Sequence, residues 1–470
     1  MRPACRDFRA RAREALLDEG LREALARARG GFVAKRAAAV AALPEFEALR
    51  DAAVEVREHS LDHLAHYLER FEARVREAGG AVHWARDAAE ARAIVLDLLH
   101  RAGARKVLKG KSMVSEEVAL NEALEAAGHT VVETDLGEYI IQLAKEPPSH
   151  IIAPAVHKRR DEIADLFQRH HGLAERIEDV PGLVAEARRV LREHFLTADA
   201  GITGANLLVA ETGSVVLVTN EGNGDLAATL PRLHIVITGI EKVVPTLADA
   251  GVLLRLLARS ATGQELSNYT TLFTGARRAA DPDGPEAFHV VLVDNGRSRM
   301  LEGPFRAMLR CIRCGACLNH CPVYTAVGGH AYGWVYPGPM GSVLTPLMLG
   351  VGEAADLPAA STLCGRCEAV CPVRIPLPAL LRRLRERTRA AGLARAGERW
   401  GLALWALAAR RPALYRRLAD LAGRLLARRA RGRGALSRLP LARAWCAHRD
   451  LPAPAPESFV TQWRRRGGAG

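Results

Sequence analysis

The chain has 470 residues, room for two or three domains, and a hydrophobic content of 49% that supports ordinary cores. No apolar run approaches the roughly 18 residues of a membrane span; the best, GLALWALAA at 401–409, stops at Arg410 and Arg411. The net charge of +13 is uneven, because residues 382–470 hold 22 arginines against five acids, which is +17 and leaves −4 for everything before.

The opening stretch MRPACRDFRARAREALLDEG is charged throughout and lacks the apolar core of a signal peptide, so the expected location is the cytoplasm. Residues 1–58, rich in Ala, Arg, Leu and Glu, read as helix broken at Gly30-Gly31 and again near Pro44, with packing as their role. From His59 helix and strand alternate. A helix over 59–78 ends at Gly79-Gly80, AVHWA is a short strand, 87–101 is helical, KVLKG a strand, 114–127 a helix, and HTVVETD and HIIAPAVH are strands. Glycine turns separate the apolar runs of GITGANLLVAETGSVVLVTNEGNGD (201–225), and HIVITGIEKVV and HVVLVDNGRS complete the sheet. The rhythm predicts an α/β domain with a mainly parallel sheet over 59–300.

Several residues of this domain are candidates for chemistry. Lys111, Ser112 and Ser115 sit on a strand-to-helix turn whose helix N-terminus suits an anion, although Glu116 and Glu117 in the next turn argue for simple capping. Glu211 in AETGS and Glu221 in NEGNGD are candidate nucleophiles set against ordinary turn chemistry. His150, His157, His234 and His330 lack paired ligand spacing and read as structural. His330, in GGHAYGW, falls inside the stretch 311–371 that holds seven of the cysteines, where a ring N–H donated to sulfur would raise the potential of a centre held there.

Seven of the nine cysteines fall within residues 311–371. The run CIRCGACLNHCP places Cys311, Cys314, Cys317 and Cys321 at x2, x2 and x3 spacing before Pro322, the pattern of a 4Fe-4S run whose last cysteine serves a second cluster. The run STLCGRCEAVCP repeats the x2 and x3 spacing with Cys364, Cys367 and Cys371 before Pro372, and Ser361 stands where a first cysteine would fall. Cross-ligation assigns Cys311, Cys314, Cys317 and Cys371 to cluster one, and Cys321, Cys364 and Cys367 to cluster two. Ser361 or water is left for the fourth iron of cluster two, so that this 4Fe-4S cluster is the one expected to decay to 3Fe-4S. Zinc is the competing reading; seven thiols exceed one tetrahedral site, and the triple C-x2-C-x2-C is not a zinc spacing. Cys5 and Cys446 stand alone as ordinary thiols.

The 42 residues between the runs and the Leu- and Arg-rich flanks predict a helical two-cluster ferredoxin domain over 301–390, with a helix at 375–389. Residues 391–470 form a basic, largely helical region ending in the extended LPAPAPESF. Its charge suits an anionic membrane surface or an acidic partner as well as a solvated face, and it carries no nucleic-acid recognition motif.

The strings GKSMVSEEVALNEAL (110–124), VVETDLGEYIIQLAKEPPSHIIAPAVHK (131–158), AETGSVVLVTNEGNGDL (210–226), GGHAYGWVYPGPMGSVLTP (328–346), RDLPAPAPESF (449–459) and both cysteine runs resemble the lactate utilisation protein B family over nearly the whole chain. That resemblance implies a LUD-type α/β domain, similar to phosphosugar isomerases and CoA transferases, then a helical ferredoxin domain and a family-specific C-terminus. It also implies a non-catalytic part in passing electrons during oxidation of L-lactate to pyruvate, with two further lactate utilisation proteins of the same operon and an unidentified electron acceptor. In CoA transferases a glutamate beside glycines attacks an acyl thioester, which is the precedent for Glu211 or Glu221. The alternative is an iron–sulfur enzyme acting on a carboxylate or acyl substrate at the α/β domain or at the open iron of cluster two; a DNA-binding redox sensor is a third. No G-x-G-x-x-G between strand and helix suggests a flavin or nicotinamide.

Overall fold

A computed structural model describes residues 3–430, 432–439, 446 and 449–467. The chain divides into two compact units, Met1–Ala391 and Gly392–Gly470.

The first unit is built on a six-stranded, wholly parallel sheet. Its strands are β1 (Ala81–Ala85), β2 (Lys106–Lys109), β3 (Thr130–Glu133), β4 (Ala200–Thr203), β7 (Leu233–Gly239) and β10 (Ala287–Val293), in the order β1-β10-β7-β4-β2-β3. β4 and β7 are buried along their whole length, as helices on both faces of a parallel sheet require. Register aligns Val82 with Val290, Val290 with Val236, and Val236 with Thr203, so like positions stack into one core layer. Helix Asn223–Thr229 presses so closely on β4 that a Cβ on Gly201 would lie 1.7 Å from the Ala227 carbonyl oxygen.

A second sheet of four strands, β5 (Leu207–Val209), β6 (Ser214–Thr219), β8 (Val243–Val244) and β9 (Tyr269–Phe273), runs in the order β8-β5-β6-β9 with mixed pairing. β9 has no counterpart among the predicted strands; its residues are largely exposed, so it shows none of the buried runs that betray the others. HIIAPAVH, expected as a strand, is a chain of turns. The His150 Nδ1 accepts the N–H groups of Ile152 and Ala153, and Ser149 N–H donates to the Pro154 carbonyl, which removes these backbone groups from any ladder.

The N-terminal helices also differ from expectation. Helix Glu19–Ala41 runs through Gly30-Gly31 without a break. Both glycines face open space, while Ala24, Leu25, Arg36 and Ala39 are buried, so packing outweighs the cost of about 1 kcal/mol per glycine. The break near Pro44 is present, and the helix expected over 59–78 is instead the end of Phe46–Asp62 followed by Leu64–Glu77. The helix expected over 114–127 is split at Ala119, whose φ is +54°.

Among the described residues 302–391 there are short helices and turns and no strand, the longer helices being Gly338–Leu349 and Leu377–Ala390. These pack with the N-terminal helices into one core cluster that contains Cys314, Cys321, Cys367 and Cys371. The second unit consists of helices Ala396–Ala409 and Pro412–Arg429, a two-stranded ribbon pairing Ala435–Leu436 with Leu451–Pro452, and helix Phe459–Arg465. Trp400, Trp405, Leu404, Leu418 and Leu425 are exposed on its helices. No helix among the described residues is long and apolar enough to cross a membrane.

Candidate iron–sulfur site

The two cysteine runs fold alike. Arg313 (φ 59°) and Gly315 (φ 75°) flank Cys314 before helix Ala316–Asn319; Leu363 (φ 55°) and Gly365 (φ 81°) flank Cys364 before helix Arg366–Ala369. A non-glycine residue in the left-handed region costs about 1–2 kcal/mol, so both loops hold this turn against their own preference. The backbone then returns N–H groups to sulfur: Tyr324 N–H donates to Cys321 Sγ at 3.5 Å and Ile375 N–H to Cys371 Sγ at 3.4 Å.

Cys311, Cys314, Cys317 and Cys371 line one small cavity together with Ile151 and Met340. Burial pushes the Cys314 thiol up to about 12, with Cys371 the next influence. Cys317 is driven well above its ordinary value by burial and then by Cys314, Cys311 and Cys371. The other three form a second group, in which burial and then Cys321 raise Cys367 to about 12. Burial also raises Cys321, with Cys364 adding to it. Cys364 is exposed, and the Arg366 N–H and the Thr362 hydroxyl hold its thiol below the usual value. The last cysteine of each run thus sits among those of the other run. The groups are neighbours, since Cys317 also feels Cys367.

Three buried arginines of the N-terminal helices fasten these loops. Arg36 donates to the Val370 carbonyl at 3.0 Å, and Arg50 donates to Cys371 at 2.7 and 3.1 Å and to Ala369 at 3.1 Å. Arg57 bonds the carbonyls of Leu309 at 2.8 Å, Val243 at 3.2 Å and Glu241. Nothing in the sequence marks these three among the many arginines, because their role is set by partners up to 334 residues away. Beside Cys311 lies a buried ionic network. Arg297 is bidentate to Glu117 at 2.8 Å and pairs with Glu241 at 2.6 Å; Tyr336 donates to Glu117 at 2.6 Å, and Arg313 lies 3.6 Å from Glu241 and over the Tyr336 ring. With Arg57 and Lys242 this makes three buried cations and the half-buried Arg313 against two acids, Glu117 and Glu241, an excess of positive charge next to the thiols.

The residues present fit iron–sulfur clusters. Seven thiols fall into two adjacent groups, the surplus cations suit net-negative centres, and the buried Tyr332 hydroxyl, within electrostatic reach of Cys321 and Cys317, has no hydrogen-bond partner among the described residues. Such an orphaned hydroxyl is costly unless an acceptor is supplied. Tyr332 lies in the GGHAYGW string, whose glycines are the sequence signal: a Cβ on Gly329 would meet the Ser149 carbonyl oxygen at 1.8 Å.

The other sequence candidates are placed differently. His330 does not face a cluster cysteine; its Nε2 bonds the Pro147 carbonyl at 2.8 Å and its ring packs edge-on against His157. His157, His330 and Glu146 do converge within 4.8 Å, but Glu146 already serves His157 at 2.8 Å and Lys158 at 2.5 Å. His150, pushed down to about 4 by burial, bonds Asn319 Oδ1 at 3.0 Å and ties the α/β core to the first cysteine loop. His234 bonds Thr203 Oγ1 at 2.8 Å inside the sheet. The Ser112 hydroxyl accepts the Ser115 N–H at 3.2 Å, and the Ser115 hydroxyl donates to the Ser112 carbonyl at 2.7 Å, so both are spent on a cap. Lys111 donates to the Ile152 carbonyl at 2.8 Å and faces Asp135 at 3.6 Å. Glu211 is exposed and accepts the Leu247 N–H at 3.0 Å, a helix-capping role in place of a nucleophile's. Glu221 is also exposed, on the wall of a cleft that Lys111 and Ser112 share. The Ser361 hydroxyl accepts the Leu363 N–H at 3.1 Å. Cys5 is buried against the Gly333 carbonyl, and Cys446 lies near that of Leu436.

Comparison with known proteins gives three family matches in chain order. A LUD domain matches residues 68–293, a 4Fe-4S dicluster domain residues 307–375, and the C-terminal region of lactate utilisation protein B residues 383–468. The chain is 44% identical over 467 residues to "Lactate utilization protein B" of Lysinibacillus sphaericus, covering 98% of this chain and 97% of the relative. It is 44% identical over 463 residues to "Uncharacterized electron transport protein YkgF" of Escherichia coli, covering 98% and 96%. To "Lactate utilization protein B" of Geobacillus kaustophilus it is 44% identical over 466 residues, covering 98% of each.

Proposed function

The chain belongs to the lactate utilisation protein B family, and from that premise we propose that it is an iron–sulfur electron-transfer subunit acting in the oxidation of L-lactate to pyruvate. The observation that carries the reading is the interleaving of the two runs, which puts Cys371 with Cys311, Cys314 and Cys317, and Cys321 with Cys364 and Cys367. Two 4Fe-4S clusters held by these sets would supply one-electron chemistry. Ser361 or solvent completes the second, which is the one prone to become 3Fe-4S. The name of the Escherichia coli relative, which includes electron transport, supports the same reading.

In this account the chain itself does no catalysis. Residues 1–58 brace the cysteine loops, 59–300 form the LUD-type domain, 301–390 the helical ferredoxin domain, and 391–470 a basic docking region. The partly exposed Cys311 and Cys317 and the exposed Cys364 give each group an approach to the surface, one serving a donor and one an acceptor. Two other lactate utilisation proteins of the operon are the partners, and the protein works in the cytoplasm. The apolar and arginine-rich faces of 391–470 suit contact with an anionic membrane surface. Iron and sulfide analysis after oxygen-free purification tests the core of the proposal: about eight irons are expected, or about seven with an oxidised three-iron EPR signal. A colourless, zinc-loaded protein refutes it.

A further inference from the structure

The α/β domain holds a cleft of about 250 Å³ at the carboxyl ends of its parallel strands, lined by the segments that follow β2, β3, β4 and β7 and by Ile312 and Arg313 of the first cysteine loop. Open parallel sheets take ligands at that edge. Three cations reach the lining. Lys111 is matched by Asp135 at 3.6 Å and Arg313 by Glu241 at 3.6 Å. Lys242, only 5% exposed, has no ion pair and no hydrogen bond among the described residues. Asn206 lies on the same lining. Its Oδ1 accepts the Val218 N–H at 3.0 Å, so the amide orientation is set and its NH2 group remains for a ligand.

We propose that this cleft binds a small monocarboxylate, with the carboxylate seated on Lys242 and a second oxygen on the Asn206 amide. Its volume falls below the roughly 300–1,000 Å³ of drug-sized ligand sites and suits an acid of a few carbons. A single cation without an ion pair among the described residues suits one negative charge, and Glu221 on the same lining disfavours a polyanion such as phosphate. The site goes beyond the electron-relay reading, and it places the bound acid against the loop between Cys311 and Cys314.

Calorimetry on the full-length, cluster-loaded protein under anaerobic conditions tests it with L-lactate, pyruvate and inorganic phosphate. One of the two organic acids is expected to bind saturably at one site, and phosphate is not. Lys242→Gln removes a hydrogen bond to a charged group and weakens binding about 10- to 100-fold. Ser267→Trp, at a half-buried lining residue whose side chain has no hydrogen-bond partner among the described residues, abolishes binding with iron content unchanged. Absence of saturable binding, phosphate binding as tightly as the acids, or unaltered affinity in Ser267→Trp overturns the proposal. So does a Lys242→Gln protein that shifts a cluster's midpoint potential yet binds normally, since the lysine would then be a counter-charge to the thiolates alone. A protein without reducible iron would sink the electron-relay reading while leaving the calorimetric result to stand separately.

Discussion

Replacing Tyr332 with phenylalanine separates the two states of the protein by sign. The hydroxyl is fully buried, lacks a partner among the described residues, and lies within electrostatic reach of Cys321 and, behind Tyr324, of Cys317. In cluster-free protein it is an unsatisfied polar group, so Tyr332→Phe should stabilise that form by about 1 kcal/mol. If the hydroxyl donates toward sulfur in the loaded protein, that bond to a charged acceptor is worth about 1.5–3 kcal/mol. If about half of that strength is gained when the cluster takes up its electron, the reduced state is favoured by about 0.75–1.5 kcal/mol. With about 59 mV and 1.4 kcal/mol per tenfold for one electron, the potential should fall by ~30–60 mV in the variant. The fall should be larger for the cluster held by Cys321. EPR-monitored potentiometric titration of wild type and variant reads this directly, and urea unfolding of the cluster-free forms reads the stability. Potentials unchanged within about 10 mV at both clusters, or a rise, would refute the placement of the hydroxyl against sulfur.

Other substitutions probe the scaffold. Arg50→Leu strands the carbonyls of Ala369 and Cys371, and should cost about 2–4 kcal/mol in denaturant unfolding, with cluster one lost before cluster two on storage. Ser361→Cys should suppress the three-iron EPR signal after ferricyanide oxidation; an undiminished signal would place the labile iron elsewhere. His234 is depressed to about 3 by burial against an unfolded value near 6.5. Its neutral form is the folded one, so its contribution is complete above about pH 6.5 and is lost as pH falls toward 3. Cluster-free wild type should therefore lose roughly 2 kcal/mol more than His234→Gln between pH 6.5 and 5 in urea titrations. Parallel curves would show that His234 is not held neutral.

Much of the sheet was legible because parallel strands buried on both faces are written as apolar runs, as in LHIVITG (233–239) and AFHVVLV (287–293). The failures have local causes. HIIAPAVH has a strand's composition, but the His150 ring captures two backbone N–H groups. Gly30-Gly31 look like a helix break, but the buried residues around them hold the helix together. Of the two glutamates weighed as nucleophiles against turn chemistry, Glu211 caps a helix by accepting the Leu247 N–H, and Glu221 stands on the cleft wall.

The cysteine spacings, the arginine-rich tail and the strand runs are properties of neighbouring residues, and the sequence alone determined them: a loop that wraps a cluster must space its thiols within a few residues. Which side chains stand around those thiols depended on contacts across hundreds of residues. The fold alone decided that Arg36, Arg50 and Arg57 bind the cysteine loops, that the unpartnered Tyr332 hydroxyl and not His330 lies within electrostatic reach of cluster cysteines, and that Lys242 forms no ion pair among the described residues. Burial and partnership belong to the packed chain, and no local pattern of letters encodes them.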